Sequence, residues 1–162
     1  MVQLASEAMV PTRAVRLIVL DRDGVVNYDS EHFIKTPDEW RPVPGSLEAI
    51  ARLNHAGFRV VVATNQSGIG RGLFDMAMLN AIHEKMHKAL MHAGARLDAI
   101  FFCPHTADAK CECRKPKPGM LLDAARLPVL RAQLSGARSA PVFVQLEAWL
   151  VRGLLRHRAA DQ

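Results

Sequence analysis

The chain has 162 residues, 49% hydrophobic and 23% charged, the composition of one globular domain long enough to bury a core. No apolar run approaches the ~20 residues that span a bilayer, and the first fifteen residues lack the apolar centre of a signal peptide, so a cytoplasmic protein without a membrane partner is expected. The net charge of +5 is concentrated in residues 121–162, with six arginines against three acids; no basic stripe interleaved with aromatics runs through the body, so no nucleic-acid partner is expected.

Leu17, Ile18, Val19 and Leu20 make a continuous apolar run, which predicts a strand buried on both faces inside a parallel sheet. It opens directly into Asp21, Arg22, Asp23 and Gly24, at the strand end where open α/β sheets bind ligands. The stretch "GSLEAIARLNHAG" predicts a helix with Ser46 as N-cap, Leu47, Ile50, Leu53 and Ala51 on its buried side, and Gly57 ending it in a left-handed conformation. Residues 58–63, "FRVVVA", predict a second strand; residues 75–94 predict a second helix; residues 99–103, "AIFFC", predict a third strand. On the second helix Met76, Met78, Met86 and Met91 read as core filler, and His83, His87 and His92 as a solvated face or satisfied packing. "PVFVQLE" predicts a late strand ending in Glu147. Strands alternating with helices at this spacing imply βαβ units and a parallel sheet.

The two loops after the first two strands carry the chemistry. "DRDG" supplies a carboxylate able to attack phosphorus when a divalent cation screens its charge, and a second carboxylate two residues on that can protonate the leaving oxygen and then activate water. "TNQSGIGRG" supplies the Thr64 hydroxyl and the backbone N–H groups of a glycine-rich turn, both suited to phosphate oxygens. Either loop alone reads most simply as an ordinary turn; together, at two strand ends, they favour phosphate chemistry.

All three cysteines fall between 103 and 113, an odd number that argues against a disulfide framework. Cys103, His105, Cys111 and Cys113 form a donor set suited to tetrahedral Zn²⁺, closed and therefore structural, in a loop that ends at Arg114 and Lys115.

"LDRDGVVN", "TNQSGIGRG" and "CPH…CECRKPKPGM" resemble the motifs of haloacid-dehalogenase (HAD)-type phosphatases, and specifically the branch of D-glycero-D-manno-heptose 1,7-bisphosphate phosphatases, with histidinol-phosphate phosphatases as close relatives. The resemblance runs from about residue 16 to 123 and implies an α/β fold, a three-layer Rossmann-like parallel sheet with a zinc-binding loop. It implies Asp21 as nucleophile, Asp23 as general acid/base, and Thr64 and Lys115 as stabilisers of the transferring phosphoryl group. Mg²⁺ would sit on the Asp21 carboxylate and the Asp23 carbonyl. Substrate would be contacted by Asp29, Ser30, Glu31, His32, Asn65, Gln66 and Ser67, with Arg114 recognising its distal part.

The family's fourth motif, a strand ending Gly-Asp that completes the magnesium site, has no counterpart after Asp123; the remaining acids are Glu147 and Asp161, and Glu147 is a weak surrogate. A shifted reading frame or a diverged end would produce such a tail. The expected organisation is an extension at 1–15, a phosphatase core at 16–123 and a divergent segment at 124–162. The leading reading is a monomeric Mg²⁺-dependent phosphatase removing the 7-phosphate of a heptose bisphosphate on the way to lipopolysaccharide, impaired by its tail. A histidinol-phosphate phosphatase and an inactive remnant of the family stay open beside it.

Overall fold

The computed structural model describes residues 16–126 and the backbone of residues 142–146. Its four-stranded sheet has the order β3-β2-β1-β4, every neighbouring pair parallel, with β1 at Arg16–Leu20, β2 at Phe58–Asn65, β3 at Ala99–Cys103 and β4 at Val142–Leu146. β1 lies between two neighbours and has helices over both faces, which is why four consecutive apolar residues suit it. Alternation along the strands sorts the core into two halves. Ile18, Leu20, Val60 and Val62 meet α1 (Ser46–His55) and α3 (Met76–His92) on one face. Leu17, Val19, Val61 and Ala63 meet α4 (Gly119–Ala125) on the other. This is the expected three-layer arrangement. Among the described residues no helix is long and apolar enough to cross a membrane.

β2 runs two residues past its predicted end. Thr64 and Asn65 are polar, but their backbones pair with Phe102 and Cys103 of β3, so inter-strand pairing rather than side-chain hydropathy sets the boundary. β4 falls within the predicted late strand and lies in register with β1, Arg16 opposite Val142 and Leu20 opposite Leu146; Glu147 lies outside the described residues.

Two expectations are corrected. Ser46 is not the N-cap of α1. Gly45 takes that place at φ 78°, and the Ser46 hydroxyl donates to Val26 O at 2.8 Å, tying the helix start to the loop after β1. Nor are all four methionines of α3 core. Met86 is wholly buried with Leu79, Ile82 and Leu90, and Met78 is half-buried, but Met91 is exposed because helical spacing turns it away from that stripe, and Met76 is exposed because it is the first residue of the helix, where the chain enters from the surface. Asp75 caps this helix, accepting from Met78 N at 2.8 Å.

The contrast between two methionines tests this packing. Met86→Ala is expected to cost about 2–5 kcal/mol by leaving a cavity under the sheet, whereas Met91→Ala should stay within about 0.5 kcal/mol. Denaturant midpoints of both variants check it.

Candidate active site

Immediately after β1 the chain folds back on itself: Val26 N and Asn27 N both donate to Arg22 O, at 2.9 and 3.1 Å, and Gly24 supplies a positive φ of 78° that side chains resist. The turn leaves Asp21 and Asp23 bordering one cavity. Asp21 Oδ1 accepts the Arg22 backbone N–H at 2.8 Å, and its Oδ2 forms an ion pair with Lys115 Nζ at 2.6 Å. The Lys115 ammonium is largely buried and has no further acceptor among the described residues. A desolvated cation with spare N–H groups at a cavity wall suits an anionic oxygen.

Asp23 is held from three sides. Arg22 reaches it through Nε to Oδ1 at 3.0 Å and Nη2 to Oδ2 at 3.1 Å, Asn27 donates to Oδ1 at 2.9 Å, and Gln66 donates to Oδ2 at 2.8 Å. Gln66 also donates to Thr64 Oγ1 at 2.9 Å, and Trp40 Nε1 fixes Asn27 by donating to its Oδ1 at 3.1 Å. Arg22 itself is 0% exposed, and its Nη1 lies 3.4 Å from His83 Nε2 on α3. Burial, followed by the charge of Arg22, lowers the His83 pKa to about 4, so the ring is neutral and can accept from the guanidinium.

The parallel pairing of β1 with β2 brings Thr64 beside this loop. The Asn65 amide makes a two-point pair with Lys115: its Nδ2 donates to Lys115 O at 3.2 Å, and Lys115 N donates to its Oδ1 at 3.0 Å. The side chain is thereby engaged in anchoring the residue that reaches Asp21. The cavity, of about 220 Å³ and open on one side, is lined by Asp21, Asp23, Asp29, Ser30, Phe33, Ile34, Thr64, Asn65, Gln66 and Lys115. Sequence reading thus named eight of its ten lining residues. Glu31, His32, Ser67 and Arg114 are not among them. His32 borders an adjoining groove, Ser67 is buried in α2 (Ser67–Gly70), and Arg114 donates to His105 O at 3.2 Å. Sequence reading gave no role to Arg22, Asn27 or His83. His83 carried a legible signal, since it sits beside Ile82 and three residues before Met86 on the buried stripe of its helix.

Lys115 leaves the loop that holds the cysteines. Cys103 Sγ lies 3.6 Å from Cys111 Sγ and 3.3 Å from Cys113 Sγ, and His105 Nδ1 lies 3.6 Å from Cys103 Sγ and 3.3 Å from Cys113 Sγ. These spacings approach the edges, about 3.7 Å between sulfurs, of a tetrahedron around Zn²⁺ with ordinary Zn–S bonds. Three thiols and an imidazole at that spacing fit zinc. Burial works to raise the Cys111 thiol, but hydrogen bonds from Cys113, Cys103, the Arg114 backbone and His105 bring it down to about 7; burial and the neighbouring thiols push Cys113 up to about 12. Gly119 seats α4 against this loop, because a Cβ there would stand 2.4 Å from Glu112 O.

The model of the polynucleotide kinase 3 phosphatase family matches residues 16–140, nearly all of the described fold. The chain belongs to this family. It is 64% identical over 112 residues to a D-glycero-beta-D-manno-heptose-1,7-bisphosphate 7-phosphatase of Bordetella bronchiseptica, a match that takes in 69% of this chain and 63% of that protein, so the chain spans less than two thirds of that relative's length. Among solved structures it resembles D,D-heptose 1,7-bisphosphate phosphatase from B. bronchiseptica complexed with magnesium and phosphate, with 44% identity, a TM-score of 0.69, and coverage of 88% of this chain and 99% of the other. It also resembles a HAD-like phosphatase from Mesorhizobium loti, with 35% identity, a TM-score of 0.62, and coverage of 69% and 56%. The fold is therefore that of HAD-like phosphatases, as the motifs implied.

The metal loop generates a direct test. One zinc per chain is expected by elemental analysis, and Cys111→Ser should lose it and lower the melting temperature, since the loop would lose a ligand that ties its two ends together.

Proposed function

We propose that the chain is a phosphatase removing the 7-phosphate of D-glycero-D-manno-heptose 1,7-bisphosphate through an aspartyl-phosphate, a step toward the nucleotide-activated heptose of lipopolysaccharide. The observation that carries this reading is the convergence of Asp21, Asp23, Thr64 and the buried Lys115 ammonium on one small polar cavity, with Lys115 Nζ 2.6 Å from Asp21 Oδ2. The names of the relatives direct the substrate choice.

In this reading Asp21 attacks the phosphorus, forming a carboxylate O–P bond as the bond to the sugar oxygen breaks. Asp23 gives that oxygen its proton, and in the second step takes a proton from the water that hydrolyses the aspartyl-phosphate. Lys115, the Thr64 hydroxyl and backbone N–H groups hold the equatorial phosphoryl oxygens where negative charge gathers. Asp29 and Ser30, at the cavity mouth, contact the sugar.

The cavity's carboxylates suit Mg²⁺, a hard cation that takes oxygen donors. The Asp21 carboxylate and the Asp23 carbonyl would hold it, because the Asp23 side chain is engaged by Arg22, Asn27 and Gln66. When bound it offsets the repulsion between the nucleophile and the phosphate dianion. With no Gly-Asp pair after residue 123, the carboxylate set is smaller than the family's, and a weak, poorly positioned cation follows.

Three outcomes are expected from assays of phosphate release on the heptose bisphosphate, with histidinol phosphate run in parallel. Asp21→Asn should abolish turnover, because an amide forms no acyl-phosphate; retained turnover would remove Asp21 from the mechanism. Asp23→Asn should lose roughly 10²–10⁴-fold. A magnesium titration of the unaltered chain should show low turnover that saturates only at abnormally high magnesium; full turnover at ordinary magnesium would show that the cation site is complete.

A further inference from the structure

We infer that Arg22, braced by His83, is a positioning residue that holds the Asp23 carboxylate in the orientation needed for proton transfer to the leaving oxygen. The inference rests on the phosphatase reading above, and it concerns two side chains to which that reading gives no part.

A guanidinium with no solvent exposure is costly to bury unless its N–H groups find partners. Arg22 has them in a specific pattern. Nε and Nη2 form a fork on the two oxygens of Asp23, at 3.0 and 3.1 Å, and Nη1 points the other way, to His83 Nε2 at 3.4 Å. Asp23 cannot turn about its side-chain bonds without breaking both prongs at once. The fork is itself fixed from behind. His83 is buried on α3 and meets Phe102 of β3 edge-on, with ring centroids 6.4 Å apart, so helix and sheet together hold the ring against Arg22. The other donors to Asp23 are secured separately, Asn27 by Trp40 and Gln66 by its contact with Thr64. Arg22 is the member of this frame that carries charge and two-point geometry, and a lysine could reproduce the first but not the second.

Proton donation matters in proportion to how poor the leaving group is. An alkyl phosphate must have its oxygen protonated as the P–O bond breaks; 4-nitrophenolate leaves without help. Arg22→Lys and His83→Leu are therefore expected to lower kcat/KM on the sugar phosphate by ~10–100-fold, the scale of a misplaced catalytic group, while kcat/KM on 4-nitrophenyl phosphate changes less than ~3-fold. This ratio reports formation of the aspartyl-phosphate and is insensitive to its later hydrolysis. His83→Gln, which keeps an oxygen acceptor for Nη1, should recover most of the loss. Equal losses on both substrates would assign the pair a merely structural role and overturn the inference. Crystal structures of His83→Leu and His83→Gln supply a readout that needs no turnover. A rotated or multiply placed Asp23 in the leucine variant, restored in the glutamine variant, supports the inference even if the unaltered chain proves inactive and the phosphatase reading fails. An Asp23 unmoved while Arg22 is displaced, or an Arg22 unmoved without His83, overturns it.

Discussion

The arrangement of this molecule hangs on one ion pair, Lys115 Nζ on Asp21 Oδ2, made between groups more than ninety positions apart in the chain. For that contact to form, β1 must end at the cavity, the metal loop must return to the same sheet edge, and Asn65 at the end of β2 must grip the Lys115 backbone from both sides. Each of these is a consequence of parallel strands whose carboxyl ends share an edge. The cysteine cluster belongs to the same logic. Cys103 is the last residue of β3 and Cys113 lies two residues before Lys115, so a metal closing that loop fixes the cation's approach without touching the cavity.

The charges around the cavity are arranged in opposed pairs. Asp21 faces Lys115 and Asp23 faces Arg22, so the frame of these four is neutral before anything enters. A phosphate dianion entering such a frame brings charge that the pairs do not compensate, and a divalent cation is the economical remedy. The two pairs also differ in exposure. Lys115 borders the cavity and keeps N–H groups for a ligand, while Arg22 is closed off behind Asp23 against His83. In the proposed reaction the first cation would meet substrate and the second would hold the acid in place.

Much of this was legible beforehand because it is written in short, contiguous signals. Leu17 to Leu20 declare a strand buried on both faces, residues 99–103 a third strand, and four soft ligands within eleven residues a metal loop, and each signal depends only on neighbours in the chain. Thr64 and Asn65 were harder, since polar residues extend a strand only when a partner strand offers hydrogen bonds. Met76 and Met91 differ from expectation because the residue type suits a core while the helical phase turns Met91 outward and Met76 stands at the exposed start of its helix.

What the amino-acid sequence determined by itself was therefore the strands and the two longer helices, the parallel sheet they imply, and the chemical kinds of group gathered at the strand ends. These follow from hydrophobic period, local charge and ligand spacing, which are properties of adjacent residues. Only the tertiary structure decided the uses of particular side chains. Asn65 anchors Lys115, Arg114 bonds back to His105, and Arg22 and His83, 61 positions apart, meet behind Asp23. The physical reason is that a hydrogen bond between distant residues leaves no periodicity in either segment; its existence is settled by which strand lies beside which and how closely α3 packs against the sheet.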